Sequence, residues 1–354
     1  MIFSNLLEYL TNLYNSRLLS TFAVTKRKEM KQIVYLSLIA ICVAMFGCSD
    51  KQAQPCEIAP IYSIFPDYES LNEHQRDSLM EHYDPELQAL FSVYELDTVC
   101  DAVMRSWAHT PAVEIFTPDV DSVYTDLSGV SIALGGILQN AQEQGIALPK
   151  RRYAAVVWGN MKSIIATDSV MLIALNHYLG ADYKGYNNSV WPAYMRGEKT
   201  PQNLPYDLAE ALMALQYPYQ GGENVTALSR MLYEGALIEA KMRLVPDASE
   251  AAAMGYTDSQ LDWFVHNIKD LWQTMVARKM LYDTSADVAS RLVDRAPATS
   301  ILAPYVPPRA GRYVGYQIVK AYLEKHPDTP LSALFAPEFY NSESTLIEAD
   351  YSAD

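Results

Sequence analysis

Three short apolar runs, close together inside a chain that otherwise reads as helix, limit the architectures open to this sequence. Tyr153 to Trp158 (YAAVVW), Ser163 to Thr167 (SIIAT) and Val170 to Leu175 (VMLIAL) are apolar and rich in β-branched residues, with Gly159-Asn160 and Thr167-Asp168-Ser169 between them. Runs of that length bounded by turn residues read as strands. Their nearness makes them neighbours in one small sheet. On either side the apolar spacing turns helical. Helices are expected over Asp67 to Leu90 with a break at Pro85, Leu90 to Ala108, Val120 to Asn140, Leu204 to Tyr219, and Thr226 to Leu244 with Thr226 as N-cap. A capping box, Thr257-Asp258-Ser259-Gln260, opens a long amphipathic helix, and a last one runs from Gly311 to Glu324 before Pro327. No repeat or linker interrupts residues 63–354. The expectation is one α+β domain with a helical N-terminal part and helices on both sides of a small central sheet. At 50% hydrophobic composition over 354 residues, the chain has material for a sizeable core.

The first 47 residues have a different character. Lys26-Arg27-Lys28-Glu29-Met30-Lys31 is a basic run, and Ile33 to Phe46 is 14 residues without a charge, followed by Gly47-Cys48. This is the pattern of a signal peptide, with an apolar region too short to span a bilayer. Met30 reads as the true start. Cys48 resembles a lipobox cysteine, the lipidated first residue of a bacterial lipoprotein, and Ser49 to Tyr62 reads as a tether. The mature chain would have 307 residues and a net charge of −18, against −15 for the whole sequence. Such acidity excludes nucleic acid and anionic headgroups as partners. Attachment to a membrane therefore falls to acyl chains. The outer membrane is the expected location, with the periplasmic or surface face open: Ser49-Asp50 resembles the start of a surface-export signal, and Lys51 departs from one. In an oxidising envelope Cys56 and Cys100 either form one disulfide or stay as free thiols.

Candidate chemistry is sparse. His74, His82 and His109 are too far apart in sequence to make a metal pair, and solvated or capping roles suit them better. Gly129-Val130-Ser131-Ile132-Ala133 fails the nucleophile-elbow pattern at its fifth position and has no strand before it, so Ser131 reads as packing. His177, at a strand end, and His266 each stand alone.

Motifs in the second half have a familiar order. After the strands come His177-Tyr178-Leu179-Gly180-Ala181-Asp182-Tyr183, then Gly255-Tyr256-Thr257, Gln260-Leu261 and Trp263, Met280-Leu281-Tyr282-Asp283-Thr284, and Pro308-Arg309 followed by Gly311-Arg312-Tyr313-Val314-Gly315-Tyr316-Gln317-Ile318-Val319. This order, from about Ser122 onward, resembles the gliding-motility lipoprotein GldB family of Bacteroidota. That family is in turn similar to predicted zinc peptidases of gluzincin-like fold, which carry H-E-x-x-H on the helix after the sheet and a glutamate ligand on the next helix. The resemblance implies a degenerate zincin-like domain. Asp207 and Ala211 stand at the spacing of the two histidines, Leu208 at the place of the base, and Tyr233-Glu234-Gly235-Ala236 keeps the third-ligand setting. A hydrolytic zinc site needs three ligands, usually with imidazoles, and a base. Asp207, Glu210 and Glu234 would offer at best an all-oxygen cluster. The plainer expectation is a vestige: Asp207 at a helix N-terminus, Glu210 on a solvated face, Glu234 a relic, and no metal or other cofactor.

Arg309 and Arg312 flank Gly311 beside the implied cleft, suited either to a ligand carboxylate or phosphate or to the chain's own carboxylates. Tyr183, Tyr186, Tyr206, Tyr217, Tyr219, Tyr313 and Tyr316, with His177, would line a groove if exposed and form plain core if buried. The function these readings imply is a non-catalytic envelope lipoprotein of the gliding-motility or secretion type, binding a partner protein or peptide in the emptied groove. A peptidase with an atypical metal site and a glycan-binding surface lipoprotein are the alternatives.

Overall fold

The computed structural model describes residues 53–186, 191–221, 225–295 and 299–353. The leader, Cys48 and the Ser49-Asp50-Lys51 start of the expected tether lie outside the described residues. Among the described residues, fourteen α-helices and three strands follow one another. They are α1 (Glu73–His82), α2 (Asp84–Ser92), α3 (Asp101–Ala108), α4 (Pro111–Val123), α5 (Ser128–Glu143), β1 (Arg152–Val156), β2 (Ile164–Ala166), β3 (Val170–Ala174), α6 (Ala193–Arg196) and α7 (Leu204–Gln216). Then come α8 (Ala227–Leu244), α9 (Glu250–Met254), α10 (Asp258–Ala277), α11 (Ala286–Val293), α12 (Ala310–Lys325), α13 (Pro337–Tyr340) and α14 (Glu343–Ala349).

The sheet has the order β1-β3-β2, with β1 parallel and β2 antiparallel to β3. Side chains of a strand alternate between faces, and here the alternation divides the core in two. Ala154, Val156, Val170, Leu172 and Ala174 pack with Phe65, Leu87, Phe91 and Trp107 of the N-terminal helical layer. Tyr153, Ala155, Met171 and Ile173 pack into the larger core with α5, α7, α8 and α12. A sheet covered on both faces needs strands that are apolar throughout, which is why β3 is buried at every position.

The stretch expected as a tether is already docked. The Cys56 amide donates to Ser131 O (3.0 Å), and a Cβ on Gly135 would lie 2.0 Å from Gln54 O. Ala59 bridges to β1 through hydrogen bonds of 2.8 Å, and Ile61 and Tyr62 are buried. That bridge covers the β1 edge. At the other edge, Ala174 N donates to Ser163 O and Thr167 N to Val170 O, so residues 163, 165 and 167 face β3. By antiparallel alternation, the N–H and C=O of Ile164 and Ala166 point outward.

Two expected helices are each broken into two. The Leu90 to Ala108 segment ends its first helix at Ser92 and restarts at Asp101, with Glu95 at φ 58°. The Val120 to Asn140 segment ends α4 at Val123 and starts α5 at Ser128. The Thr226 cap and the Thr257–Gln260 capping box form as the sequence indicates. Cys56 and Cys100 are free thiols, so the disulfide is the alternative not taken.

Candidate functional site

The sequence of α8 is apolar nearly all round, which destines it for the interior. It also carries Arg230, Glu234 and Lys241, which at 3.6 residues per turn fall within about 40° of one another. Burying such a stripe requires partners of opposite charge. They come from α12, which can approach closely because glycine faces backbone at both contact points. A Cβ on Gly235 would lie 2.5 Å from Gly315 C, and one on Gly315 would lie 1.9 Å from Met231 O.

At this crossing Arg312 Nε sits 2.9 Å from Glu234 Oε2, and its Nη2 donates to Glu210 Oε2 of α7 at 3.1 Å. Lys241 Nζ contacts the same Glu210 oxygen and also donates to Ala253 O (3.0 Å). Arg230 Nη2 completes Glu234 at 2.7 Å. Burial pushes the Glu210 carboxyl up, but Arg312 and Lys241 outweigh it and hold the group well below the usual carboxylate range. Burial pushes the Lys241 ammonium down. Glu210 is thus a permanent anion and a poor general base at neutral pH.

A second arm begins at Glu198. Its Oε2 accepts from Arg309 Nη2 (3.0 Å) and lies 2.9 Å from Arg295 Nη2. Burial raises the Glu198 carboxyl, but Arg309 and Arg295 outweigh it and bring the group below its ordinary value. Arg309 holds a left-handed backbone (φ 60°) at the N-cap of α12, a conformation that costs a non-glycine residue about 1 kcal/mol or more. Its Nη1 donates to Met254 O (3.0 Å), over Gly255 at φ 71°, where a Cβ would lie 2.3 Å from that nitrogen. Asp207, in the first turn of α7, accepts from Tyr178 Oη (2.8 Å), and its other oxygen lies 4.0 Å from Arg295.

The structure therefore does bring Asp207, Glu210 and Glu234 into one region, but not around a common centre. Arg312 stands between Glu210 and Glu234, and Asp207 is turned to Tyr178. These residues do not fit a zinc ion. Among the described residues, no group of three or more His, Cys, Asp or Glu is placed to hold a metal. Glu210 is half-buried at the cleft wall, where Arg312 and Lys241 engage it, and Glu234 has a structural task. Arg309 and Arg312 are 3% and 4% exposed and pair with the chain's own carboxylates, so neither offers a free guanidinium. Tyr206, Tyr313 and Tyr316 are core: Tyr206 Oη accepts from Ser249 N (2.9 Å), and Tyr313 stacks on Phe264 at 4.8 Å. Tyr186 is also buried, while Tyr183, Tyr217 and Tyr219 are half-buried.

What does open to solvent is a cleft of about 370 Å³ between the β2 edge and α7, lined by Ser163, Ile164, Trp191, Lys199, Asp207 and Arg295 among others. Ser163 Oγ accepts from Lys199 Nζ (2.7 Å) and lies 3.1 Å from His177 Nδ1. His177 is buried, edge-on to Trp191, and burial followed by the Lys199 charge pushes its imidazole down to about 3. It is neutral at physiological pH. Burial also brings the Lys199 ammonium down to about 8. Glu198, Lys199, Lys241, Arg295 and Ser163 were not singled out in the sequence. The charged stripe on the apolar α8 was the available signal for Lys241, whereas Glu198, Lys199 and Arg295 lie in loops with no local pattern. A roomier hollow of about 470 Å³, beside Arg230 and Tyr219, presents neither a sheet edge nor a cation without a carboxylate.

The profile of the family described as gliding motility protein GldB matches residues 49–353. The chain belongs to the GldB family. That match extends through the N-terminal helical layer, which the motif order alone did not reach. No curated protein and no solved structure matches. Within this GldB-family chain, the Gly311 to Val319 motif is the first part of α12. Its Arg312, and Arg309 at the N-cap just before it, are buried members of the ion network, and its Gly315 is the contact with α8. Among the described residues, no helix is long and apolar enough to cross a membrane.

Proposed function

We propose that this GldB-family chain is a lipid-anchored envelope protein, attached through Cys48, that holds an extended segment of a partner polypeptide in the cleft between β2 and α7. It does so without metallopeptidase chemistry. The observation that carries the reading is the outward-facing edge of β2, which lines an open cleft. An extended chain adds to such an edge through main-chain hydrogen bonds, while the cleft walls select side chains. The ancestral plan, on this reading, is a zincin-like domain. Arg312 and Lys241 now neutralise the carboxylates of its former metal region, leaving the groove and removing the reaction.

The test is Ala166→Pro. The Ala166 N–H points away from β3, so proline there deletes a docking donor without removing a ladder bond, a position edge strands tolerate. In a host whose gliding depends on this chain, the variant should accumulate normally, melt within about 1 kcal/mol of the parent and fail to restore gliding. A stable variant that glides normally would refute edge docking.

A further inference from the structure

Four carboxylates form the buried to half-buried network, Glu198, Asp207, Glu210 and Glu234, and six cations surround them: Lys199, which acts on Asp207 and Glu198 through space, and Arg230, Lys241, Arg295, Arg309 and Arg312. An excess of two positive charges is the reverse of the balance of the chain, whose net charge is −15. Lys241, Arg309 and Arg312 each sit on a carboxylate. Lys199 is the exception among the buried cations. It is 2% exposed, donates to the Ser163 hydroxyl, lies 4.3 Å from the Trp191 ring centre and 5.6 Å from that of Tyr178, and is in ion-pair contact with none of the described carboxylates. A buried ammonium without a carboxylate in direct contact is costly, and Asp207 and Glu198 offset that cost only through space. Lys199 and Arg295 both line the cleft beside the β2 edge, and Arg295 is one-third exposed.

We infer that Lys199 and Arg295 form a carboxylate-binding subsite, so that the segment docking along β2 is one that presents an acidic group. This rests on the cleft reading above and specifies its ligand. A carboxylate there would accept from the ammonium and the guanidinium together, with charge-assisted bonds on both. It would also reduce the local excess of positive charge. Asp207 lines the same cleft and, with Glu198, offsets part of the Lys199 charge through space, but Tyr178 holds Asp207 and the two arginines hold Glu198, and neither carboxylate makes ion-pair contact with the ammonium.

The experiment is selection of a displayed library of random hexapeptides on the full chain in detergent, run with blocked and with free C-termini. The expected result is enrichment of Asp or Glu at one position over Asn and Gln, lost in Lys199→Met and weakened in Arg295→Gln, with both variants melting cooperatively. The winning peptide made with Gln in place of its acid should bind at least tenfold more weakly. Acidic enrichment in the blocked library assigns the subsite to a side chain; binders found only with free C-termini assign it to a chain end. Selected peptides that are neutral, and that lose binding in Ala166→Pro, would overturn the carboxylate subsite and leave edge docking standing. Failure to select any peptide above an empty display scaffold would overturn both.

Discussion

Lys199 shows how one side chain can carry a cost that its surroundings offset only in part, here through Asp207 and Glu198. Its ammonium is brought down to about 8 in the folded chain from an ordinary 10.5. Below pH 8 it is charged in both states and folding bears the burial of the charge. Between pH 8 and 10.5 the unfolded chain holds more protons at this site, so stability rises with pH. Lys199→Met should therefore stabilise the chain at pH 7, and its advantage over the parent should shrink by about 3 kcal/mol on going from pH 8 to 10.5. Paired denaturant titrations at the two pH values check this; an advantage independent of pH would mean that Lys199 finds a counter-ion in the native state. At this scale the sequence was only partly legible. Glu234 drew notice for a metal-ligand setting, yet its partner Arg312 lies 78 positions away, and no local pattern links Glu210 to an arginine 102 residues on. Pairings of that kind are set by how helices cross.

At the scale of elements, the crossing of α8 and α12 fixes the ion network. Glycine at 235 and 315 lets the two backbones touch, which brings Glu234 and Arg312 within 2.9 Å. Gly315→Ala would put a methyl 1.9 Å from the Met231 carbonyl, a contact that backbone must move to relieve. The expected loss is about 3 kcal/mol, read by chemical denaturation. Gly129→Ala, whose Cβ meets nothing within 4 Å, should be neutral or stabilising. Equal effects at both sites would show that the helices are not in backbone contact. Helices whose termini carry their own signals were legible: Thr226, the Thr257–Gln260 box and the Pro85 break all appear where the residues put them. The breaks at Glu95 and at Tyr124 to Leu127 were not, because apolar residues such as Leu96 and Leu127 continue a helical count through segments that turn.

Among the described residues, a three-stranded sheet separates a small N-terminal core from a large C-terminal one, and the β2 edge meets a cleft while Ala59 covers the β1 edge. The strand positions and the α+β class follow from the sequence because β-branched runs between turn residues have few other uses. The cleft does not, since it depends on β2 being outermost in the order β1-β3-β2. The acidic surface and the cationic cleft belong to one electrostatic arrangement: an acidic partner segment is repelled across most of the protein and drawn to one opening.

The most direct measurement is site-specific photocrosslinking in gliding cells, with the photoreactive residue at Met161, an exposed residue on the cleft wall, or at the exposed Ile347 of α14. Docking at the β2 edge predicts a discrete adduct from Met161 that disappears when Ala166→Pro is added, and no such adduct from Ile347. An adduct from Met161 that persists in Ala166→Pro, or one equally strong from Ile347, would contradict docking at the β2 edge.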